Sequence, residues 1–279
     1  MTFAPVLPVG GIAGLAFLDR TYDRQFALFN KSPELQRDIA HFREVAAGLD
    51  TPEALVQDTR ALRVALGAFG LEDELPKRAF IRKILEEGTL DPRALANRLA
   101  DPAWRNFAEA MGHGNLGSRL GSAEVRADLE SRYRTRMFER ATGDVDVNMR
   151  LALNFRREIA EIATSQAVET SGWFRVMGSK PLRAVVEKAL GLPDQFGALD
   201  VDAQRGELER LSRKAFGGES PAVFADPEKV EEAIRIFLAR TAAESGPSPT
   251  TPGATALTIL QSSALGAGAQ GNLFASRFL

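Results

Sequence analysis

The sequence contains no cysteine, and only two histidines, two tryptophans and two tyrosines occur among its 279 residues. The absence of cysteine excludes disulfide bonds, thiolate metal sites and cysteine nucleophiles. An excess of one charge is also missing, because 35 Lys and Arg face 37 Asp and Glu, which leaves a net charge of -2. Since nucleic acids and anionic membranes attract clustered positive charge, this balance predicts neither as a partner.

Long hydrophobic runs are missing as well. No segment reaches the roughly 18 uninterrupted apolar residues that span a bilayer, so the sequence predicts no membrane insertion. The start, MTFAPVLPVGGIAGLAFLDR, is apolar, but it lacks a basic beginning and is interrupted by Pro5, Pro8 and two glycines. It therefore does not fit a cleavable secretory signal peptide.

The sequence contains many residue pairs that mark the beginnings of short helices. Six residues that cap helix N-termini well are each followed by proline, which is favoured at the first helical position. These pairs are Ser32-Pro33, Thr51-Pro52, Asp91-Pro92, Asp101-Pro102, Ser220-Pro221 and Asp226-Pro227. Apolar residues between them recur with helical spacing, as at Leu35, Ile39 and Phe42, and alternation typical of strands is absent. The pattern predicts an all-α protein of about ten helices.

Several segments of the first half are echoed in the second half in the same order. LADPAWRNFAEAM (99–111) resembles FADPEKVEEAIRIF (224–237), and RVALGAFGLEDEL (63–75) resembles AVVEKALGLPDQF (184–196). HFREVAAGL (41–49) likewise resembles NFRREIAEIA (154–163). The ordered matches predict an internal duplication, in which two related multi-helix repeats pack together.

This duplication divides the chain into six parts. We expect an extended N-terminal segment at 1–11, a first helical repeat at 12–113, a connector at 114–122, a second helical repeat at 123–243, a flexible Pro/Ser/Gly linker at 244–256 and an apolar C-terminal tail at 257–279. The linker is predicted from its low hydrophobicity and its content of Pro, Ser, Thr and Gly.

The stretch MGHGNLGSRLG (111–121) has the G-x-G-x-x-G spacing of a dinucleotide-binding loop. Such a loop needs a strand before it and a helix after it, because the pyrophosphate sits at a helix N-terminus within a βαβ unit. Here the preceding segment has helical spacing. We therefore interpret Gly112 as the end of a helix and Ser122 as the cap of the next one, and we predict no cofactor.

Other candidate chemistry is sparse. His41 and His113 lack any metal-ligand spacing, so we predict no metal site, and no catalytic residue is assigned. The acidic runs 71–75 and 85–88 are typical of solvated helix ends. The stretch SRYRTRMFERATGD (131–144) carries four arginines among aromatic residues, and we interpret it as a solvated polar face. Trp104 and Trp173 are predicted core residues.

The segments LGAFGLEDEL, FIRKILEEGT and ALANRLADP resemble domain-of-unknown-function family 1217, a family of alphaproteobacterial proteins often encoded among flagellar genes. The resemblance extends over essentially the whole chain. It implies an α-helical protein associated with the flagellum, and it supplies no catalytic residues. With no cleavable signal peptide and no transmembrane segment predicted, the expected location is cytoplasmic or flagellum-associated. Protein partners, including flagellar components, are the partners we expect, whereas the oligomeric state is not indicated.

The most favoured function is a non-enzymatic, flagellum-associated structural or assembly protein. A cytoplasmic regulator or export chaperone that binds a partner helix between the repeats is the second hypothesis, and an enzyme or small-molecule binder is the third. Apolar residues near heptad spacing at one end, with counterparts at the other, form the predicted interaction surface. They are Ile12, Leu15, Tyr22, Phe26, Phe29, Leu257, Leu260, Phe274 and Phe278. Packing of the same terminal segments on the chain's own core is the alternative.

Overall fold

The structure, a computed structural model, describes residues 3–245, and every regular element within that range is a helix. The prediction of an all-α protein is confirmed. The α-helices are α1 (Gly11–Phe29), α2 (Pro33–Val45), α3 (Pro52–Gln57), α4 (Thr59–Gly67), α5 (Arg78–Glu87), α6 (Leu95–Arg98), α7 (Pro102–Met111), α8 (Ala123–Val145), α9 (Val147–Ala163), α10 (Val168–Gly178), α11 (Lys180–Leu190), α12 (Val201–Phe216) and α13 (Pro227–Ser245). Short 3-10 helices occupy Ala46–Gly48, Glu72–Glu74, Asp194–Ala198 and Pro221–Ala225.

The capping residues begin helices at five of the six predicted positions. At Thr51 and Asp101, for example, the side chain accepts a hydrogen bond from a backbone N–H of the first turn. The start predicted at Asp91 is wrong. There the carboxylate accepts the N–H of Arg93 at 2.8 Å and closes a turn, and α6 begins only at Leu95.

Buried side chains form two hydrophobic cores. The N-terminal core is built by α1 to α8 around residues such as Phe42, Phe107 and Phe138. The C-terminal core is built by α9 to α13 around Phe155 and its neighbours, with Leu15 of α1 added. Helix α8 belongs to the N-terminal core through Leu129, Tyr133 and Phe138, although the sequence assigns it to the second repeat.

The first helix of each predicted repeat packs against the other repeat. Helix α1 contacts α9 and α13, whereas α8 contacts α2 and α4 as well as its neighbour α9. The two long helices therefore tie the N-terminal and C-terminal cores together. The duplication itself stays a prediction.

The segment before α1 is non-helical and lies along that helix. Buried Gln25 accepts a hydrogen bond from the Val6 N–H at 2.7 Å and donates one to the Val6 carbonyl at 3.2 Å. Phe3 meets the ring of Phe29 edge to face at 5.8 Å. The two hydrogen bonds satisfy the backbone N–H and carbonyl of Val6, which belongs to no helix or strand.

Candidate functional site

The glycine-rich stretch 111–121 connects two helices, as the sequence predicts. Helix α7 ends at Met111, and Gly112 follows in the left-handed conformation with φ 78°. Ser122 caps α8 by accepting the N–H of Val125. Because a helix and not a strand precedes the glycines, the stretch lacks the βαβ setting of a dinucleotide loop.

This connector is fastened to the end of α5 and to the loop before α3. Asn115 accepts the N–H of Thr89 at 2.7 Å and donates to the Thr89 hydroxyl at 3.1 Å. Gly114 lies so close to the backbone at Gly88 that a Cβ atom would collide with it. On the other side, His113 Nε2 donates to the Leu49 carbonyl at 3.0 Å. The connector is therefore held in one conformation.

Two large apolar side chains project from this fastened region. Leu116 is 97% exposed and Leu90 is 68% exposed. Each leucine directly follows one residue of the hydrogen-bonded pair Thr89 and Asn115, so both lie at the same corner of the molecule. We call Leu90 and Leu116 the leucine corner. Its apolar surface is not covered by the described part of the chain.

His113 has one hydrogen-bonded ring nitrogen and one buried ring nitrogen that lacks a partner. Because its Nε2 donates to a carbonyl, its Nδ1 is unprotonated, and that atom is buried without a hydrogen-bond partner. Burial lowers the pKa of His113, an effect that the hydrogen bond to Leu49 only partly offsets. The neutral form of the imidazole is the one the fold accommodates.

The substitution His113→Gln is expected to weaken the pH dependence of stability. Since the folded-state pKa lies below the unfolded value, the unfolded chain takes up the proton first, and stability falls as pH drops below about 6.5. Gln keeps an amide N–H donor but does not titrate. Urea unfolding at pH 7.5 and 5.5 should show wild type losing more stability than His113→Gln. An equal loss in both proteins would show that His113 is not the group responsible, because the other histidine, His41, is present in both.

The predicted interaction surface on α1 is largely engaged by the protein itself. Leu15 is buried in the C-terminal core and Phe29 in the N-terminal core. Tyr22 and Phe26 are half-buried, whereas Ile12 is 46% exposed. Of these five positions, Ile12 therefore retains the largest exposed fraction. The remaining predicted residues, Leu257, Leu260, Phe274 and Phe278, lie outside the described residues, as does the segment 246–279.

The interpretation of the arginine-rich stretch 131–144 as a solvated polar face is wrong for its central part. Arg136 of α8 points at α9 and pairs with Glu158 at 2.7 Å. In return, Arg157 of α9 pairs with Glu139 of α8 at 2.8 Å and with Glu158 at 3.2 Å. Arg136 of α8 thus pairs with a carboxylate of α9, and Arg157 of α9 pairs with a carboxylate of α8. The spacing of residues within one helix cannot predict such ion pairs between two helices. Arg132, by contrast, faces solvent and pairs with Asp128.

These four residues form the interhelical charge cluster: Arg136, Glu139, Arg157 and Glu158. Burial lowers the pKa of Arg136, and the nearby Glu158 only partly offsets this. Burial would raise the pKa of Glu158, but Arg136 and Arg157 outweigh burial and hold it below its ordinary value. The Glu158 carboxyl is therefore ionised near neutral pH, and each of the four side chains depends on its partners because solvent reaches them poorly.

A polar cleft of about 380 Å³ lies beside this cluster. Its walls come from the first turn of α7, from α8 and α9, and from the first turn of α11. A second, more open groove of about 700 Å³ is lined by Phe3, Phe29, Leu35 and Met137 together with charged residues. The cleft lies between the two cores, and sequence spacing did not indicate it.

The predicted acidic runs lie at helix ends and are paired with cations. Glu72 accepts from Arg140 at 2.6 Å, and Asp73 accepts from the same guanidinium at 2.8 Å. No cluster of three or more histidine and carboxylate side chains suited to a metal ion occurs within residues 3–245. Over the same range, no helix has both the length and the apolar character needed to cross a bilayer. Trp104 and Trp173 are buried, which confirms their predicted place in the core.

Comparison with known proteins gives a family and a fold. The model of a family described as "Protein of unknown function (DUF1217)" matches residues 68–230, which is more than half of the chain. A crystal structure of a protein from Agrobacterium tumefaciens superposes with a TM-score of 0.67 and 25% sequence identity, covering 85% of this chain and 97% of that one. No curated protein matches the sequence.

Proposed function

The chain belongs to the DUF1217 family of proteins of unknown function, and we propose that it is a non-enzymatic, flagellum-associated structural or assembly protein that acts through protein contacts. The flagellar part rests on the sequence resemblance to alphaproteobacterial proteins often encoded among flagellar genes. The contact-forming part rests on one structural observation, the leucine corner.

The leucine corner has the properties of an anchor for a partner protein. Binding energy is concentrated in a few side chains that enter a well-packed pocket on the partner and lose their water; Trp, Tyr and Arg are the most frequent of these, and Leu is less frequent. Leu90 and Leu116 already expose such surface on a backbone fixed by Asn115, Gly114 and His113. A preorganised loop loses little conformational entropy on binding, so more of the hydrophobic gain becomes affinity.

Replacing both leucines is expected to impair the function of the protein without unfolding it. The variant Leu90→Ser/Leu116→Ser should reduce swimming motility in soft agar towards the level of a gene deletion, because the apolar anchor is lost. Its thermal unfolding should remain close to wild type, within about 0.5 kcal/mol in unfolding free energy, since exposed substitutions change stability little.

The matched control is Leu199→Ser/Val201→Ser, which removes two other exposed apolar side chains near the start of α12. It should swim like wild type. If both double variants swim normally while the deletion strain does not, the leucine corner is not the contact surface. If the deletion strain itself swims normally and crosslinking recovers no flagellar component, the flagellar proposal fails.

A cytoplasmic regulator or export chaperone is the second candidate. It is favoured by the open 700 Å³ groove, whose walls combine Phe29, Leu35 and Met137 with charged side chains. A groove with apolar and charged walls is the kind of site that receives an amphipathic partner helix. Cell fractionation separates the two candidates. A chaperone stays inside the cell and binds an export substrate, whereas a structural component co-purifies with basal bodies or filaments. Repeating the fractionation in strains without a functional flagellar export apparatus shows whether the location of the protein depends on export.

A further inference from the structure

The polar cleft brings together the beginnings of two helices from different parts of the chain. Asp101 precedes α7 and Ser179 precedes α11, and both residues line the cleft. The backbone at Gly178 packs against the carbonyl of Ala100 so tightly that a Cβ atom would collide with it. The two helix N-termini are therefore neighbours.

The two N-termini differ in how their amide groups are satisfied. Asp101 accepts the N–H of Ala103 at 2.9 Å and so caps its own helix. Ser179 is buried but makes no capping hydrogen bond, although α11 is eleven residues long. The first N–H groups of α11 therefore have no side-chain acceptor, and the helix dipole adds positive partial charge at this point.

Two cations beside this N-terminus also lack partners. Arg175, in the last turn of α10, and Lys180, in the first turn of α11, line the cleft. Neither forms an ion pair or a side-chain hydrogen bond with any described residue, whereas Arg136 is committed to Glu158. Two carboxylates without ion pairs face them, the capping residue Asp101 and the exposed Glu161.

Asn154 is the independent observation that points to a ligand. It lines the same cleft from α9, is only 7% exposed, and its Oδ1 has no hydrogen-bond partner. An unsatisfied buried amide costs free energy, and native proteins tolerate one mainly where a ligand, ion or water completes it. Because Oδ1 is itself shielded from solvent, a molecule bound in the cleft would meet this side chain through its amide N–H group.

We propose that the cleft binds a small organic anion, whose carboxylate or phosphate group is held by the first turn of α11 with Lys180 and Arg175, and whose polar body meets Asn154. Helix N-termini with nearby cations are the usual protein sites for such oxyanions. The volume of about 380 Å³ suits a molecule of that size. Burial raises the pKa of the Asp101 carboxyl at this end of the cleft. The site is separate from the leucine corner and goes beyond the proposed function.

Thermal unfolding in the presence of inorganic phosphate or succinate tests this site, with sodium chloride at the same ionic strength as the reference. For wild type we expect a saturable rise in Tm with at least one of the two anions, because a ligand that binds the folded state stabilises it. A response to phosphate or to succinate identifies which oxyanion chemistry is preferred. The variant Arg175→Gln/Lys180→Ala should bind about tenfold more weakly, since it loses two charged contacts.

The control variant is Arg105→Gln, which removes an exposed, unpaired arginine of α7 that does not line the cleft. It should respond like wild type. The variant Asn154→Asp, which places a negative charge in the cleft, should abolish the response. The proposal is overturned if neither anion raises Tm beyond the chloride reference, or if Arg175→Gln/Lys180→Ala binds as tightly as wild type.

Discussion

The substitution Glu158→Ala is expected to cost about 3–5 kcal/mol of unfolding free energy, which is the usual effect of removing one partner from a buried ion pair. Glu158 accepts from Arg136 at 2.7 Å and from Arg157 at 3.2 Å, and these side chains are about one fifth to one quarter exposed. Without it, Arg136 would be a poorly hydrated cation with no carboxylate in contact. Burial already lowers the pKa of Arg136, and the negative charge of Glu158 partly offsets this effect. Removing Glu158 therefore leaves the charged form of Arg136 with the full cost of burial.

Chemical denaturation at pH 7 measures this effect, and Glu86→Ala is the matched control. Glu86 pairs with Arg82 at 3.5 Å on the exposed side of α5. Because exposed pairs are worth about 0–1 kcal/mol, the control should unfold almost like wild type. A loss of less than about 1 kcal/mol for Glu158→Ala would show that water, not the protein, neutralises the interhelical charge cluster.

The substitution Phe138→Ala is expected to cost about 3–5 kcal/mol, as for other large aromatic residues removed from a core. Phe138 of α8 is fully buried, and three rings of α1 surround it. Tyr22, Phe26 and Phe29 meet it edge to face with centroid distances of 5.2, 5.5 and 5.6 Å. The variant should therefore also release α1, which brief proteolysis would detect as faster cleavage near the N-terminus.

Phe80→Ala is the control for this prediction. Phe80 is half-buried and meets the ring of Trp104 at 5.1 Å, and among the described residues its ring contacts none of the aromatic rings of α1. It should destabilise the protein less and leave the cleavage rate near α1 unchanged. If Phe138→Ala and Phe80→Ala have equal effects on that rate, the aromatic cluster does not hold α1 in place.

Local signals in the sequence were sufficient for the helices and for the connector. Capping residues such as Thr51 and Asp101 act through hydrogen bonds within one turn, and Gly112 acts through its own backbone, so short-range spacing predicts them. At Asp91 the capping pattern does not begin a helix. The Asp91 carboxylate accepts the N–H of Arg93 and closes a turn, while the Asn97 amide donates to the carbonyls of Thr89 and Asp91.

Contacts between distant segments could not be predicted in this way. Arg136 and Glu158 are polar residues of amphipathic helices, and a single sequence does not show that the two polar faces meet. The exposure of Leu116 depends on the hydrogen bonds between Thr89 and Asn115, which are 26 residues apart. The polar cleft requires the approach of Ala100 to Gly178, which lie on different parts of the chain.

Site-specific photocrosslinking in living cells tests whether the leucine corner contacts another protein. A photoreactive amino acid at position 116 should give a crosslinked band containing a flagellar component in motile cells. The same amino acid at position 201, which is also exposed, should not give that band. Equal labelling at both positions, or no crosslink at 116, would contradict a contact at the leucine corner.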